Sequence, residues 1–180
     1  MASSDKQAEQ AEQTKQDVYW MRRAIELAQI GQANGEVPVG AVLVRDQKML
    51  AEGFNQPIQQ NDPTLHAEIQ VIRQAAKALN NYRILDSTLY VTLEPCCMCA
   101  GAIIQARISR VVFGAFDPKA GACGSVMNLL DHKQTNYKKL NHTPVVQGGV
   151  LEQPCAVVLK EFFKLKRSSR GLISCNHSSV

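Results

Sequence analysis

Thr88-Leu89-Tyr90-Val91-Thr92-Leu93-Glu94-Pro95-Cys96-Cys97-Met98-Cys99 is the stretch on which the fold turns. Residues 88–92 are rich in β-branched and aromatic side chains and read as a strand. Pro95 stands where the first turn of a helix tolerates proline, and a helix is predicted over 97–106. A strand running straight into a helix is the βα unit of a layered α/β domain. Outward from it, residues 110–114 (Arg-Val-Val-Phe-Gly) form another strand. Upstream, residues 39–44 (Val-Gly-Ala-Val-Leu-Val) are almost continuously apolar, as expected of a strand buried on both faces. Asp46-Gln47 is turn-like, so residues 49–55 can return as an antiparallel partner. Asn61-Asp62-Pro63 breaks that strand. A helix follows over 64–79, with Ile69, Ile72, Ala76 and Leu79 at helical spacing; Asn80-Asn81 stops it.

The flanks complete the pattern. Asp17 caps a helix that runs to about residue 34, with Met21, Ala24, Ile25 and Ala28 on one face and Gly35 ending it. Residues 117–124 read as a loop, 125–131 as a short helix, 145–147 as a short strand and 151–167 as the final helix. Strands alternating with helices predict a three-layer α/β/α sandwich around a central mixed, roughly five-stranded sheet. Residues 1–16 are expected to be a disordered tail, 17–167 a single domain and 168–180 a polar tail. Neither a repeat nor a linker divides the domain.

Bulk properties narrow the class. A chain of 180 residues is long enough for one domain with a real core. No apolar run approaches the roughly 20 residues of a membrane span, so no membrane partner is expected. The N-terminal stretch lacks the apolar segment of a secretory signal, and a cytoplasmic location is expected. Cys96, Cys97 and Cys99, half of the six cysteines, are too crowded for a disulfide framework. In a reducing compartment such a cluster reads as metal binding or catalysis. The net charge of +4 hints at a polyanionic partner and cannot carry that reading alone.

The chemistry comes from pairing His66-Ala67-Glu68 with Pro95-Cys96-Cys97-Met98-Cys99. Cys96 and Cys99, at i and i+3, share one face of a helix start, whereas Cys97 points elsewhere. The helix N-terminus favours their thiolate form. With His66 they make three ligands for one Zn²⁺ and leave a position open, the mark of a catalytic site, since structural zinc sites close all four positions. Glu68 does not face His66 on an ideal helix. It reaches the open position if His66 lies in an irregular first turn. A carboxylate there can take a proton from water and deliver it to a leaving group. The competing reading is a closed structural zinc knuckle in an RNA-binding or scaffold protein. The second half of such a site, a further Cys-x-x-Cys or His-x-x-x-His, is missing.

His-x-Glu followed by Pro-Cys-x-x-Cys is the established signature of the zinc-dependent nucleobase deaminases. The likeness goes further. Residues 36–44 (Glu-Val-Pro-Val-Gly-Ala-Val-Leu-Val), Asn55, residues 62–69 (Asp-Pro-Thr-Leu-His-Ala-Glu-Ile) and residues 89–103 resemble the bacterial tRNA adenosine deaminases. So do residues 112–115 and the helix containing Phe162-Phe163-Lys164; the likeness spans about 19–167 and leaves both tails uncovered. The resemblance implies a cytidine deaminase-like fold, one zinc per subunit, a homodimer, and hydrolysis of adenosine to inosine at the wobble position of a tRNA anticodon stem-loop. It assigns His66, Cys96 and Cys99 to zinc and Glu68 to proton transfer. It matches Asn55 to a base-contacting asparagine, and Val39 and Ala67 to positions lining the base pocket.

Weaker signals stay open on the residues themselves. Asn55 carries a donor and an acceptor and can read a purine edge, or it can satisfy a turn; the resemblance favours the base. Asp117 and Lys119 follow a strand end, where α/β active-site loops sit, and either approach RNA or make a plain turn. Lys164, Lys166 and Arg167 on the final helix suit phosphate contact, or only complement the helix dipole. Cys123 and Cys155 read as packing residues, Cys175 as a tail thiol, and His132, His142 and His177 as solvent-facing or locally bonded. The zinc motif does not separate an RNA editor from a deaminase of free cytidine, deoxycytidylate or guanine.

Overall fold

A computed structural model describes the backbone of residues 2–130 and 140–174. The strands are β1 (Gly40–Arg45), β2 (Lys48–Phe54), β3 (Ser87–Leu93), β4 (Arg110–Ala115) and β5 (Val145–Gln147). They form one five-stranded sheet in the order β2-β1-β3-β4-β5. β1 is antiparallel to both neighbours, while β3, β4 and β5 run parallel. The sheet is therefore mixed. Asp46 and Gln47 take φ of 51° and 58°, the left-handed geometry of a type I′ hairpin turn.

The period of two in each strand divides the core between the sheet's faces. Ala41, Leu43, Leu89, Val91, Val111 and Phe113 pack with residues of α3 (Ala67–Ala78) and α4 (Cys97–Ala106). Val42, Val44, Tyr90 and Val112 pack with α1 (Ala2–Ala33) and α5 (Glu152–Ser174), through Met21, Ala24, Leu27 and Cys155. Two helices on each side complete the α/β/α sandwich. α1 lies on the backbone of β1: a Cβ on Gly40 would stand 2.1 Å from the Ala24 carbonyl oxygen, so the contact requires glycine.

Several boundaries differ from the sequence expectation. α1 begins at Ala2, so the tail predicted over 1–16 is helical from residue 2, and residue 17 is no structural boundary. Asp17 caps nothing; it lies inside the helix, buried. Its carboxylate accepts two hydrogen bonds of 2.7 Å from Arg110 and others from the Tyr90 hydroxyl and the Gln13 amide. The Ala, Gln, Glu and Lys of the leading segment are strong helix formers, and a helix already nucleated on the sheet extends through them at one bond per residue. At the other end α5 runs past residue 167 to Ser174, into the predicted polar tail.

The helix expected over 125–131 does not form in its described part. Cys123 and Asn128 make a bridge instead, and the amides of Val126 and Met127 donate back to the Gly121 carbonyl and that of Leu129 to the Ala122 carbonyl, so no helical ladder forms there. An unanticipated short helix, α2 (Pro57–Gln60), forms where the buried Glu36 carboxylate accepts the amides of Ile58 and Gln59 at 3.2 and 2.7 Å. His132, Cys175 and His177 lie outside the described residues.

Candidate active site

β3 and β4 end side by side, with Leu93 paired to Ala115. The carboxyl ends of parallel strands are where ligands bind in open α/β sheets. The chain leaves β3 through Glu94 and Pro95 and enters α4 with Cys96 as its N-cap, in extended conformation (φ −75°, ψ 173°). Pro95 thus precedes the cap and lies outside the first turn where it was expected. Cys99 sits in that first turn, and Cys97 is exposed. Across the gap, α3 starts at Ala67 with His66 as N-cap (φ −70°, ψ 157°). The extended backbone of His66 releases its ring from the helical period and turns it towards α4.

His66 Nδ1 lies 3.6 Å from Cys96 Sγ and 3.5 Å from Cys99 Sγ, and the three donor atoms all fall within 4.8 Å of one another. Nitrogen and sulfur ligands bound tetrahedrally to one zinc ion stand about 3.6 Å apart, so the spacing suits that ion. The three donors are coupled through their mutual contacts. The Cys96 thiol is held down to about 3, chiefly by the hydrogen bond with Cys99 and then by His66. Cys99 is pushed up, by sharing with Cys96 and by burial. His66 is raised, first by its bond to Cys96. Two helix N-termini meeting here add positive potential that favours thiolate. His66, Cys96 and Cys99 can hold a metal on three protein ligands.

Glu68, one residue into α3, is 3% exposed. Burial pushes its carboxyl up, with His66 and the Cys99 thiol among its neighbours. A carboxyl raised by desolvation beside a metal site is suited to hold and move a proton.

The expected pocket residues form one hydrogen-bonded chain. The Val39 carbonyl accepts the Asn55 amide at 3.0 Å, and Asn55 Oδ1 accepts the Ala67 amide at 2.9 Å; all three residues are buried. The acceptor half of Asn55 is committed to the start of α3, which leaves Nδ2 as its donor. Asp117 and Lys119 lie on the loop after β4 that crosses the metal ligands, with Gly121 bridged to Cys96. Asp117 Oδ1 accepts the amides of Lys119 and Ala120, so the turn reading holds for that oxygen. Lys164, Lys166 and Arg167 are exposed on α5, the helix layer across the sheet from α3 and α4. Among the described residues no contact joins them to the metal ligands. Phe162 is buried, with Lys166 Nζ 5.5 Å from its ring centroid. Cys155 is buried between α5 and the sheet, and His142 Nε2 lies 2.7 Å from the Ile108 carbonyl oxygen.

One residue at the site had no assigned role. Glu94 is 2% exposed and takes four hydrogen bonds from the loop after β4. A carboxylate at the end of an apolar strand, next to Pro-Cys, was the available signal.

The family model for the cytidine and deoxycytidylate deaminase zinc-binding region matches residues 14–115. The tRNA-specific adenosine deaminase of Haemophilus influenzae is 52% identical over 157 residues, covering 87% of this chain and 88% of that protein. That of Bacillus subtilis is 44% identical, covering 86% and 93%. A solved structure from a study of A-to-I editing by tRNA:A34 deaminases at the wobble position of transfer RNA superposes with a TM-score of 0.71. It is 42% identical and covers 78% of this chain and 99% of its own. Zinc is the cofactor of this fold family, and the chain belongs to the cytidine and deoxycytidylate deaminase zinc-binding family, in its tRNA-specific adenosine deaminase branch.

Proposed function

We propose that this protein hydrolyses adenosine to inosine at the wobble position of a tRNA anticodon stem-loop. The observation that carries the chemistry is the convergence of His66, Cys96 and Cys99 at two helix N-termini with the buried Glu68 beside them. The nucleic-acid substrate is supported by the identity to relatives named for it, over most of both chains.

His66, Cys96 and Cys99 would hold the zinc ion. Bound there, zinc supplies a Lewis acid that makes water nucleophilic near neutral pH. Glu68 takes a proton as the water oxygen bonds to C6 of adenine. It passes that proton to the adjacent ring nitrogen, then takes the second proton from the new C6 hydroxyl and delivers it to the amino group, so that the C6–N6 bond breaks, the C6 carbonyl forms and ammonia leaves. Asn55 Nδ2 donates to an acceptor on the purine edge, with its Oδ1 already bonded to Ala67. Val39 and Ala67, both buried, floor the pocket with small apolar side chains. Asp117 and Lys119 meet the RNA strand close to the target nucleotide; Lys164, Lys166 and Arg167 attract more distant phosphates. The protein works as a homodimer in the cytoplasm. Among the described residues no helix is long and apolar enough to cross a membrane.

The test is incubation of the zinc-loaded protein with an anticodon stem-loop carrying adenosine at the wobble position, and separately with free cytidine and guanine. Inosine in the RNA is expected, with little turnover of the free compounds. Efficient turnover of cytidine or guanine and no inosine in RNA would overturn the reading.

A further inference from the structure

Glu94 lies two residues before the metal ligand Cys96 and is itself no member of the ligand group, which comprises His66, Cys96 and Cys99. Its two oxygens are both engaged. Oε1 accepts the amides of Cys123 and Ser125 at 2.9 and 3.1 Å. Oε2 accepts the amide of Asp117 at 3.0 Å and the hydroxyl of Ser125. Among the described residues every donor comes from the loop between β4 and residue 126, from both of its ends. A buried carboxylate without such partners would carry a large desolvation cost; with them it is a hub of charge-assisted bonds.

The backbone confirms how close the loop is held. The Ala122 amide donates to the Pro95 carbonyl at 2.8 Å, and Gly121 bridges to Cys96. A Cβ on Gly121 would stand 2.4 Å from the Glu94 carboxyl group and 2.6 Å from the Asp117 carbonyl oxygen. Only glycine passes there. Loop, carboxylate and metal-ligand turn thus form one unit, in which Glu94 joins the end of β3 to the segment carrying Asp117 and Lys119.

We propose that Glu94 is a positioning residue for the deamination reaction: its carboxylate fixes the loop of residues 117–125 over the metal centre, so that the target nucleotide is held at reacting distance from Glu68. This rests on the RNA deaminase reading above for its substrate, while the fixing of the loop stands on the geometry alone. Glu94 touches neither the metal nor the base; it acts through the loop.

The experiment uses the full-length, zinc-loaded protein and three variants, Glu94→Ala, Glu94→Gln and Ser125→Ala. Zinc content, amide hydrogen exchange, and kcat and KM on the anticodon stem-loop are read at a temperature well below each variant's unfolding. Glu94→Ala is expected to keep its zinc, to exchange the amides of Asp117, Cys123 and Ser125 faster, and to lose about 10²-fold in kcat/KM, the order that follows a misplacement of about 1 Å. Glu94→Gln retains one acceptor oxygen and falls between Glu94→Ala and the wild type; Ser125→Ala removes a single donor and loses least. Wild-type kcat/KM in zinc-loaded Glu94→Ala overturns the proposal. So does loss of zinc in proportion to activity, which would make the carboxylate a support of the metal site rather than of the loop. If Glu94→Ala does not fold, the order of Glu94→Gln below Ser125→Ala in kcat/KM decides, and equal values overturn the proposal. Failure of the wild type to make inosine in the stem-loop refutes the deaminase reading alone, because hydrogen exchange tests the pinned loop without any RNA.

Discussion

Asp17, on the α1 face of the sheet, and Glu68, on the α3 face, are both buried carboxyl groups, and their surroundings push them in opposite directions. Burial opposes the charge on Asp17, but the hydrogen bonds from Arg110, then Gln13 and Tyr90, outweigh it and hold the carboxyl below its usual range. Among the described residues no guanidinium pairs with Glu68. Desolvation dominates and its carboxyl rises. The first arrangement ties α1 to β3 and β4. The second leaves a carboxyl whose charged form is disfavoured by burial, at the point where two helix N-termini converge. A buried carboxyl paired with a guanidinium is a fastening; one set beside metal ligands is suited to chemistry.

Four experiments press on this contrast. Glu68→Gln keeps shape and burial and removes only the ability to carry a proton. We expect kcat to fall by about 10³-fold, with zinc content kept and thermal stability equal or slightly higher. Full activity in this variant would end the assignment of Glu68 as the proton carrier. Asn55→Asp preserves the acceptor that holds the Ala67 amide and exchanges the donor for an oxygen. It should fold normally and lose about 10²-fold in kcat/KM. Retained activity with intact folding would mean that Asn55 serves only the backbone.

Asp17→Asn should leave kcat unchanged at low temperature and lower stability by about 3 kcal/mol, because the half-buried Arg110 loses its counter-charge. The pH dependence follows from the depressed carboxyl. Its stabilisation is complete above the unfolded value of about 3.9 and is lost as pH falls through the lower folded value. Urea unfolding should therefore show a constant gap between variant and wild type from pH 7 to about pH 5, closing only in stronger acid. A gap that closes near neutrality would contradict the ion-pair account. The smallest effect is expected on α5. Replacing Lys164 and Lys166 together by Ala should weaken stem-loop binding a few-fold and lower the salt slope by about 1.4, at roughly 0.7 per phosphate contact. An unchanged slope would return both lysines to a purely solvated role.

Much of this was legible in the linear chain because it is local. The apolar run at 39–44, the positive-φ turn at Asp46-Gln47 and the Pro-Cys-x-x-Cys helix start are decided within a few residues by burial pattern, turn chemistry and capping. Composition marks residues 1–16 as a disordered tail and 168–180 as a polar tail, whereas propensity and propagation from a packed core carry α1 and α5 into them. The segment after residue 124 differs from the helix expected there for another reason: its amides answer to Glu94 and to carbonyls of the preceding loop, not to one another.

The sequence alone determined the donor types, His66, Cys96, Cys99 and Glu68, and the mixed sheet that brings strand ends together, since both depend on residue chemistry and on short-range periodicity. Tertiary structure decided what each buried carboxyl is for. Asp17, Glu36, Glu68 and Glu94 are alike in sequence as acidic residues among apolar or helical neighbours. They differ in what lies across the core: Arg110 for Asp17, the α2 amides for Glu36, the loop amides for Glu94, and thiols and an imidazole for Glu68. Those partners are long-range, and the free energy of a buried charge is set by its partners rather than by its neighbours in the chain.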